Sequence, residues 1–308
     1  MSVEVGVGLW TMQSTRAHPV QATAAYRRVV EDARRAESLG LASLWTAEHH
    51  AWYDGWCPRL MEALAPVAAA TERVRLGTAI LVAPLHDPRR LAADAAALHR
   101  LSGGRLVLGV GQGHRDAEFD LFGLARPARA RLLDAALDQL EAAGPTILLG
   151  GMSEAAVARA ARRGHGLLLP QTLDGGRVAA VARDYRAAGG TGVVGLMRDV
   201  WVTEAGTGAR DRFLAALGDH YREEIGAWWP LKGRWPGFAA PDELGRQLER
   251  VRRSAVVGEP GQVAEGLAAL VDAGAELLVL RLRFDFTADA DLEAALALLA
   301  SNVVPRLG

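Results

Sequence analysis

The chain alternates between short apolar runs and longer Ala-, Leu- and Arg-rich stretches with helical periodicity. The apolar runs predict eight strands, at about residues 3–9, 42–45, 74–82, 105–110, 146–149, 167–169, 192–202 and 277–282. The stretches after them predict helices at about residues 19–39, 59–70, 88–101, 127–143, 154–163, 177–188, 261–273 and 290–299. This pattern in 308 residues indicates a (β/α)8 TIM barrel. A doubly wound open sheet would alternate in the same way, but the count of eight and the closing helix favour the barrel.

Linkers, internal repeats and low-complexity tracts do not interrupt the alternation, so we expect a single domain over residues 1–308. One irregular stretch, at about residues 204–254, follows the seventh strand and contains Trp228, Trp229 and Trp235. In a barrel this position lies over the carboxyl-end face, where long aromatic loops often form lids or substrate walls. We therefore expect a lid-like insertion; a helical insertion packed on the barrel rim is the alternative.

The net charge, the cysteine content and the lengths of the apolar runs bear on the class of protein. A net charge of −1 gives no indication of a nucleic-acid partner. The single cysteine, Cys57, excludes an internal disulfide and a cysteine metal cluster, and it fits a reducing cytoplasm. The amino terminus has no secretory signal pattern, and no apolar run reaches the roughly 18–20 residues of a membrane span. We expect a cytoplasmic protein without a membrane partner.

Polar residues follow the second predicted strand, which ends at Trp45. The carboxyl ends of strands hold the ligand site in proteins of this architecture. On an extended segment Glu48 and His50 share one face and His49 takes the other. A His49 side chain at the barrel mouth suits general acid or base catalysis, or hydrogen bonding to a polar ligand. An exposed polar strand end is the alternative, and without HExxH spacing or a cysteine ligand we predict no metal site.

The ends of later strands are rich in small residues. Gly77, Thr78 and Ala79 leave room for a flat ligand, although barrel interiors also need small residues for packing. The glycines of residues 109–113 lack the GxGxxG spacing of a dinucleotide site, but they allow a ligand to approach the backbone. Ser153 can cap the next helix, whose first turn could bind phosphate. Ordinary capping explains Ser153 equally well.

Several longer segments occur in a characteristic order. They are Ala47-Glu48-His49-His50, Arg75-Leu76-Gly77-Thr78-Ala79-Ile80-Leu81, Pro84-Leu85-His86-Asp87-Pro88, Leu101-Ser102-Gly103-Gly104-Arg105-Leu106, Leu108-Gly109-Val110-Gly111, Glu118-Phe119 with Phe122-Gly123, Leu149-Gly150-Gly151 with Ser153, and Gly258-Glu259-Pro260. In this order, which spans nearly the whole chain, they resemble the bacterial luciferase-like flavin monooxygenase family.

The resemblance implies a (β/α)8 barrel that binds reduced FMN, or the 5-deazaflavin coenzyme F420, at its carboxyl-end face. By position, His49 matches the active-site histidine and Glu48 the adjoining acid. Ala79 and Ile80 match a pair that often forms a cis peptide bond under the flavin ring. The remaining cofactor contacts fall on two loops, at Gly111, Gln112 and His114, and at Gly150, Gly151, Met152 and Ser153. Luciferases carry a phosphate-binding arginine where this chain has Gln112, with His114 and Arg115 nearby as substitutes.

The function we expect from this resemblance is a flavin-dependent monooxygenase acting on a small organic substrate. It would use O2 and reduced FMN from a separate flavin reductase. An F420-dependent oxidoreductase that transfers hydride is the first alternative, and a non-catalytic flavin-binding barrel is the second. Trp10, Trp52 and Trp228 are the candidate substrate walls and suggest an apolar or planar molecule. The family also implies a homodimer through the helices after strands two and three.

Overall fold

The computed structural model describes residues 3–8, 14–50, 57–204, 206, 208–228 and 243–308. Its strands are β1 (Glu4–Gly8), β2 (Ser43–Thr46), β3 (Arg75–Val82), β4 (Leu106–Gly111), β5 (Thr146–Gly150), β6 (Gly166–Leu169), β7 (Val194–Val202), β8 (Val256–Gly258) and β9 (Leu277–Arg281). Its helices are α1 (Ala22–Ser38), α2 (Leu60–Ala70), α3 (Pro88–Leu101), α4 (Asp116–Leu121), α5 (Arg129–Leu140), α6 (Glu154–Arg163), α7 (Gly175–Ala187), α8 (Ala209–Trp228), α9 (Glu243–Ser254), α10 (Pro260–Asp272) and α11 (Asp289–Leu298).

Eight of the described strands close into a parallel barrel. Strands β1 to β6 pair in sequence order, β6 pairs with β7, and β9 lies between β7 and β1. Among the described strands, the extra strand β8 pairs with the carboxyl-terminal part of β7. Helices follow the strands and pack around the barrel, so the predicted (β/α)8 fold is confirmed.

Local sequence explains where several helices begin. Asp87 accepts hydrogen bonds from the backbone N–H groups of Arg89 and Arg90, which caps α3 ahead of Pro88. Glu259 and Gln262 form a reciprocal capping box at α10. None of the described helices combines the length and apolar character that crossing a bilayer requires.

The barrel interior has its own small apolar core. Trp45 is its largest member, and its indole nitrogen donates to Ser43 Oγ at 2.8 Å. A Cβ atom at Gly77 would lie 2.2 Å from the Trp45 ring, so only glycine leaves room for this indole. Leu168 and Met197 belong to the same core and line the cavity above it. The inner core is therefore the floor of that cavity.

The insertion after β7 is largely helical where the structure describes it. Helices α8 and α9 pack against each other, and Phe213 of α8 stacks on Trp201 of β7 with a ring separation of 4.7 Å. Tyr221 and Glu224 of α8, with Gln247 and Val251 of α9, line the cavity at the barrel mouth. The insertion thus packs on the rim and also covers the cavity, which combines both predicted arrangements. The loop between the two helices lies outside the described residues.

Candidate active site

A cavity of about 410 Å³ lies at the carboxyl end of the barrel. Nine of the predicted site residues line it: Glu48, His49, Ala79, Ile80, Gly111, Gln112, His114, Gly150 and Gly151. These residues come from the ends of four consecutive strands, β2 to β5. Barrel enzymes place their active sites at this face.

Two other predicted site residues, Met152 and Ser153, are not among the described residues that line the cavity. Met152 is largely exposed, and Ser153 Oγ accepts a hydrogen bond from the backbone of Ala156 at 3.3 Å, which caps α6. Trp10 and Trp52 lie outside the described residues. Trp228 ends α8, but its side chain is also outside them. A phosphate-binding role for Ser153 and a substrate-wall role for the three tryptophans stay predictions.

The wall formed by β3 has a distinctive backbone. The Ala79–Ile80 peptide bond is cis, and the pairing of β3 with β4 shifts register between Thr78 and Leu81. Two glycines flank Ile80: a Cβ at Gly111 would lie 2.8 Å from Ile80 Cγ2, and a Cβ at Gly150 would lie 2.7 Å from Ile80 Cδ1. We call Ala79, Ile80, Gly111 and Gly150 the backbone cradle. Apart from Ile80, the backbone cradle has no bulky side chain, so it leaves a surface on which a planar ligand can lie.

His49 has two charged neighbours. Its Nδ1 lies 2.6 Å from Nη1 of Arg115 and 3.5 Å from Oε1 of Glu118. A guanidinium group can only donate, so the shorter contact makes Nδ1 a hydrogen-bond acceptor. The neutral ring therefore carries its proton on Nε2.

The surroundings of His49 also determine its charge. Burial and the nearby positive charge of Arg115 lower the pKa of His49 to about 4. Burial opposes ionisation of Glu118, but His49 and Arg115 outweigh it and lower the pKa of Glu118 to about 2. At neutral pH a neutral imidazole thus lies between a cation and an anion. His49 is equipped to donate a hydrogen bond, whereas an imidazolium acid would form only in strongly acidic solution.

Replacing Arg115 with glutamine tests this account of His49. Glutamine can still donate to Nδ1 but has no positive charge, so the pKa of His49 should rise from about 4 towards its ordinary value. The imidazole would then protonate at higher pH, which an NMR titration of its ring nitrogens can measure. Arg126→Gln is the matched control, because Arg126 pairs with Asp116 at 3.0 Å. An unchanged midpoint in Arg115→Gln would contradict the assignment.

Glu48 lies at the cavity wall, and its carboxylate forms a cluster with His50 and His86. Its Oε1 lies 2.5 Å from Nε2 of His50 and 2.7 Å from Nε2 of His86, and its Oε2 accepts from the backbone N–H of Val82 at 2.9 Å. Burial would raise the pKa of Glu48, but the two histidines outweigh it and lower that pKa. Glu48 therefore stays ionised, and its side chain is held by three donors.

On the opposite side of the cavity, Arg281 and Asp199 form a buried ion pair. Nε and Nη2 of Arg281 lie 2.8 and 3.1 Å from the Asp199 carboxylate, and the hydroxyl of Tyr221 donates to the same carboxylate at 2.5 Å. The barrel register explains the pairing, because Asp199 on β7 lies opposite Arg281 on β9. Arg281 and Tyr221 line the cavity. Burial raises the pKa of Tyr221, which stays protonated at neutral pH.

Five roles were not predicted from the sequence, namely those of Arg115, Glu118, Asp199, Tyr221 and Arg281. Two signals were present. Asp199 and Arg281 interrupt apolar strands, and a charge inside such a strand is expected to have a buried partner. Arg115 directly precedes a short helix and Glu118 lies in its first turn, so the two charges are close in sequence. Arg115 was named with His114 as a substitute for the phosphate-binding arginine, and in the structure its Nη1 lies 2.6 Å from Nδ1 of His49.

Comparison with known proteins finds flavin-dependent and F420-dependent enzymes that are similar to parts of the chain. Over 95 residues it is 36% identical to the oxygenase component of flavin-dependent trigonelline monooxygenase from Acinetobacter baylyi, covering 31% of this chain and 26% of that protein. Over 105 residues it is 36% identical to the F420-dependent glucose-6-phosphate dehydrogenase of Amycolatopsis mediterranei, covering 33% and 32% of the two chains. The first curated relatives are matched over 55% of their length or less.

One solved structure shows the likeness of fold over the whole chain. The oxygenating constituent of 3,6-diketocamphane monooxygenase from Pseudomonas putida, solved with FMN, superposes with a TM-score of 0.80 at 18% identity, and the match covers 100% of this chain and 99% of that one. The family model described as luciferase-like monooxygenase matches residues 5–143 and 135–277. These matches cover most of the sequence, so the chain belongs to the luciferase-like monooxygenase family.

Proposed function

We propose that this enzyme is the oxygenase of a flavin-dependent monooxygenase system that uses reduced FMN and O2 on a small organic substrate. The observation that carries the proposal is the position of His49, a neutral hydrogen-bond donor, in the same cavity as the backbone cradle. Membership of a family of monooxygenases supports it and argues against a non-catalytic barrel.

The wall and the lining residues of the cavity suit a bound flavin. The backbone cradle offers a flat wall, and its glycines have no room for a side chain beside Ile80. Leu168 and Met197 supply an apolar floor, while Gln112 and His114 supply polar groups at the β4 end. We place the flavin ring over Ala79 and Ile80, and the cofactor phosphate near the loop of residues 150–153.

When bound, reduced FMN would supply two electrons to O2, so that one oxygen atom enters the substrate and the other leaves as water. The residues of this chain position the reactants and control protons. His49 donates a hydrogen bond through Nε2 to a reacting oxygen atom, and Arg115 holds the ring in that tautomer. Helices α8 and α9 restrict access of water to the cavity. The protein thus orients the reactants and the cofactor supplies the redox chemistry.

A separate reductase would provide the reduced flavin. The glycines of residues 109–113 lack the dinucleotide spacing, so the sequence offers no fingerprint for binding a nicotinamide cofactor. The trigonelline relative is likewise named as an oxygenase component. We therefore infer a two-component system in which this chain receives its flavin from another protein.

F420-dependent hydride transfer is the second candidate, and Gln112 favours it. A neutral amide lies at the cavity where luciferases carry an arginine for the FMN phosphate. The similarity to F420-dependent glucose-6-phosphate dehydrogenases points the same way. In this candidate His49 donates its hydrogen bond to the oxygen atom of the group that gives or receives hydride.

Titration with reduced FMN and, in parallel, with reduced F420 separates the two candidates. Tighter binding of FMN together with O2-dependent product formation supports the oxygenase, and tight binding of F420 without affinity for FMN overturns it.

The Gly150→Ala variant tests the backbone cradle in the same titration. Its new Cβ would displace the Ile80 side chain, which forms part of the proposed flavin surface, and the affinity should fall by roughly tenfold, about 1.4 kcal/mol. Gly175→Ala is the control, because no atom lies within 4 Å of its added Cβ.

We also infer a homodimer formed through α2 and α3. The exposed residues of these helices include Pro66 and Ala69 on α2 and Ala93 and Ala97 on α3, which are small and uncharged. Such surfaces allow close packing of helices between subunits. Light scattering at micromolar concentration should show a dimer, and Ala97→Arg should produce a monomer. Ala155→Arg, at an exposed position of α6, should leave the dimer intact. A monomeric native protein would contradict the inference.

A further inference from the structure

The Glu48–His50–His86 cluster has the composition of a metal site. Nε2 of both histidines approaches the same oxygen of Glu48, at 2.5 and 2.7 Å, and the three candidate ligand atoms all lie within 4.8 Å of one another. The other carboxylate oxygen is held by the backbone N–H of Val82. Such an outer hydrogen bond is what orients a carboxylate ligand in known metal sites.

We propose that Glu48, His50 and His86 bind a divalent transition-metal ion of the Zn²⁺ class. Two imidazoles and one carboxylate are the protein ligands of one established type of zinc site, in which a fourth position is left for water or another ligand. A cation between the three side chains would replace the two Nε2 protons that now face Glu48. Each imidazole would then ligate the ion through Nε2 and carry its proton on Nδ1.

The structure provides a route for the ion that does not pass through the active-site cavity. His50 and His86 also line a second, outer cavity of about 440 Å³ at the amino-terminal ends of α2 and α3. The carboxylates of Glu62, Asp87 and Asp94 line this cavity too and would attract a cation, against the charges of Arg59 and Arg90. The ion would therefore reach Glu48 from the outer side of the barrel wall.

Occupancy would have a consequence for the active site. Glu48 lies between the two cavities, and the backbone N–H of His50 donates to Glu118, the anion beside His49. An ion bound to Glu48 and His50 would thus fix the segment that carries His49. Only the folded protein brings the three ligands together, so the ion should bind the folded protein in preference to the unfolded chain. Its binding should therefore also raise the thermal stability of the protein. This inference does not depend on which flavin the enzyme uses.

Two substitutions of His86 separate a metal ligand from a hydrogen-bond donor. His86→Gln keeps an N–H donor for Glu48 but supplies a poor zinc ligand. His86→Glu removes the donor but supplies a carboxylate ligand of similar reach. Calorimetric titration of chelator-treated, untagged full-length protein with Zn²⁺ should show one saturable site in the native protein and in His86→Glu. In His86→Gln the affinity should fall at least tenfold.

His165→Ala is the control, because His165 forms an exposed pair with Glu141 that lacks a third ligand in the described structure. Its Zn²⁺ affinity should equal that of the native protein. X-ray absorption of the bound ion should show two imidazole nitrogens at about 2.0–2.1 Å. The proposal is overturned if the native protein has no saturable site, or if His86→Gln binds as tightly as the native protein. Should His86→Gln fail to fold, His50→Gln makes the same test.

Discussion

Replacing His49 with alanine should lower turnover by about 10²–10⁴-fold, the usual contribution of a positioned proton or hydrogen-bond donor. The loss is expected because Nε2 carries the proton of the neutral ring and His49 lines the cavity. The free energy of unfolding should change little, since the buried Arg115 keeps its ion pairs with Glu118 and Glu224 when His49 is removed. His49→Gln, which keeps an N–H donor at similar reach, should recover part of the activity. Steady-state kinetics with a substrate found by screening provides the measurement.

His50→Ala is the matched comparison for this experiment. His50 is buried, and its ring approaches Glu48 and packs edge-on against Phe122 with a ring separation of 4.9 Å. Its removal takes one donor from a buried carboxylate, which should cost about 1–3 kcal/mol of stability. Turnover should fall less than in His49→Ala. Equal loss of activity in both variants, or an active His49→Ala enzyme, would show that the role of His49 is misassigned.

Asp199→Ala should be the most destabilising of the substitutions considered. It removes the carboxylate that pairs with Arg281 and leaves the guanidinium charged inside the protein. Breaking a buried pair in this way typically costs about 3–5 kcal/mol. Urea unfolding followed by circular dichroism would measure the change.

An exposed ion pair provides the control for Asp199→Ala. Asp184 lies 3.3 Å from Arg183 on the outer surface, and both side chains are largely exposed. Asp184→Ala should change the free energy of unfolding by less than about 0.5 kcal/mol. A loss of only 1 kcal/mol or less in Asp199→Ala would mean that Arg281 finds another partner or water, and that the pair is not needed for stability.

The barrel could be predicted from the sequence because its signals are local. Each strand is a short apolar run, and glycines such as Gly164 and Gly274, which have positive φ angles, end the helices before the next strand. Helix α8 was less obvious beside the Trp- and Pro-rich residues that follow it. Its spacing of Phe213, Leu217 and Tyr221 nevertheless has helical period. Strand β8 has only three residues, which is too short to distinguish from a loop.

The residues of the candidate site likewise fall into those that the sequence predicted and those that it did not. His49 and the backbone cradle were predicted because they lie in short segments with a recognisable order. The partners of His49 were not predicted, because Arg115 is 66 residues away and reaches it only after β2 and β4 take their places in the barrel. The pairing of Asp199 with Arg281, 82 residues apart, likewise depends on closure of the barrel. Sequence patterns therefore identified which strand ends carry chemistry, and only the folded structure shows which charges meet.

Two groups of residues that line the cavity come from separate parts of the chain. His49 and the backbone cradle belong to the first five strands, whereas Tyr221, Glu224, Gln247 and Val251 belong to the insertion between β7 and β9. In the course of divergence, the insertion can therefore change while the strands that carry His49 and the backbone cradle stay the same. We expect related enzymes that share the first five strands to differ most in α8 and α9. Exchanging that segment between paralogues offers a direct route to enzymes with new substrate preferences.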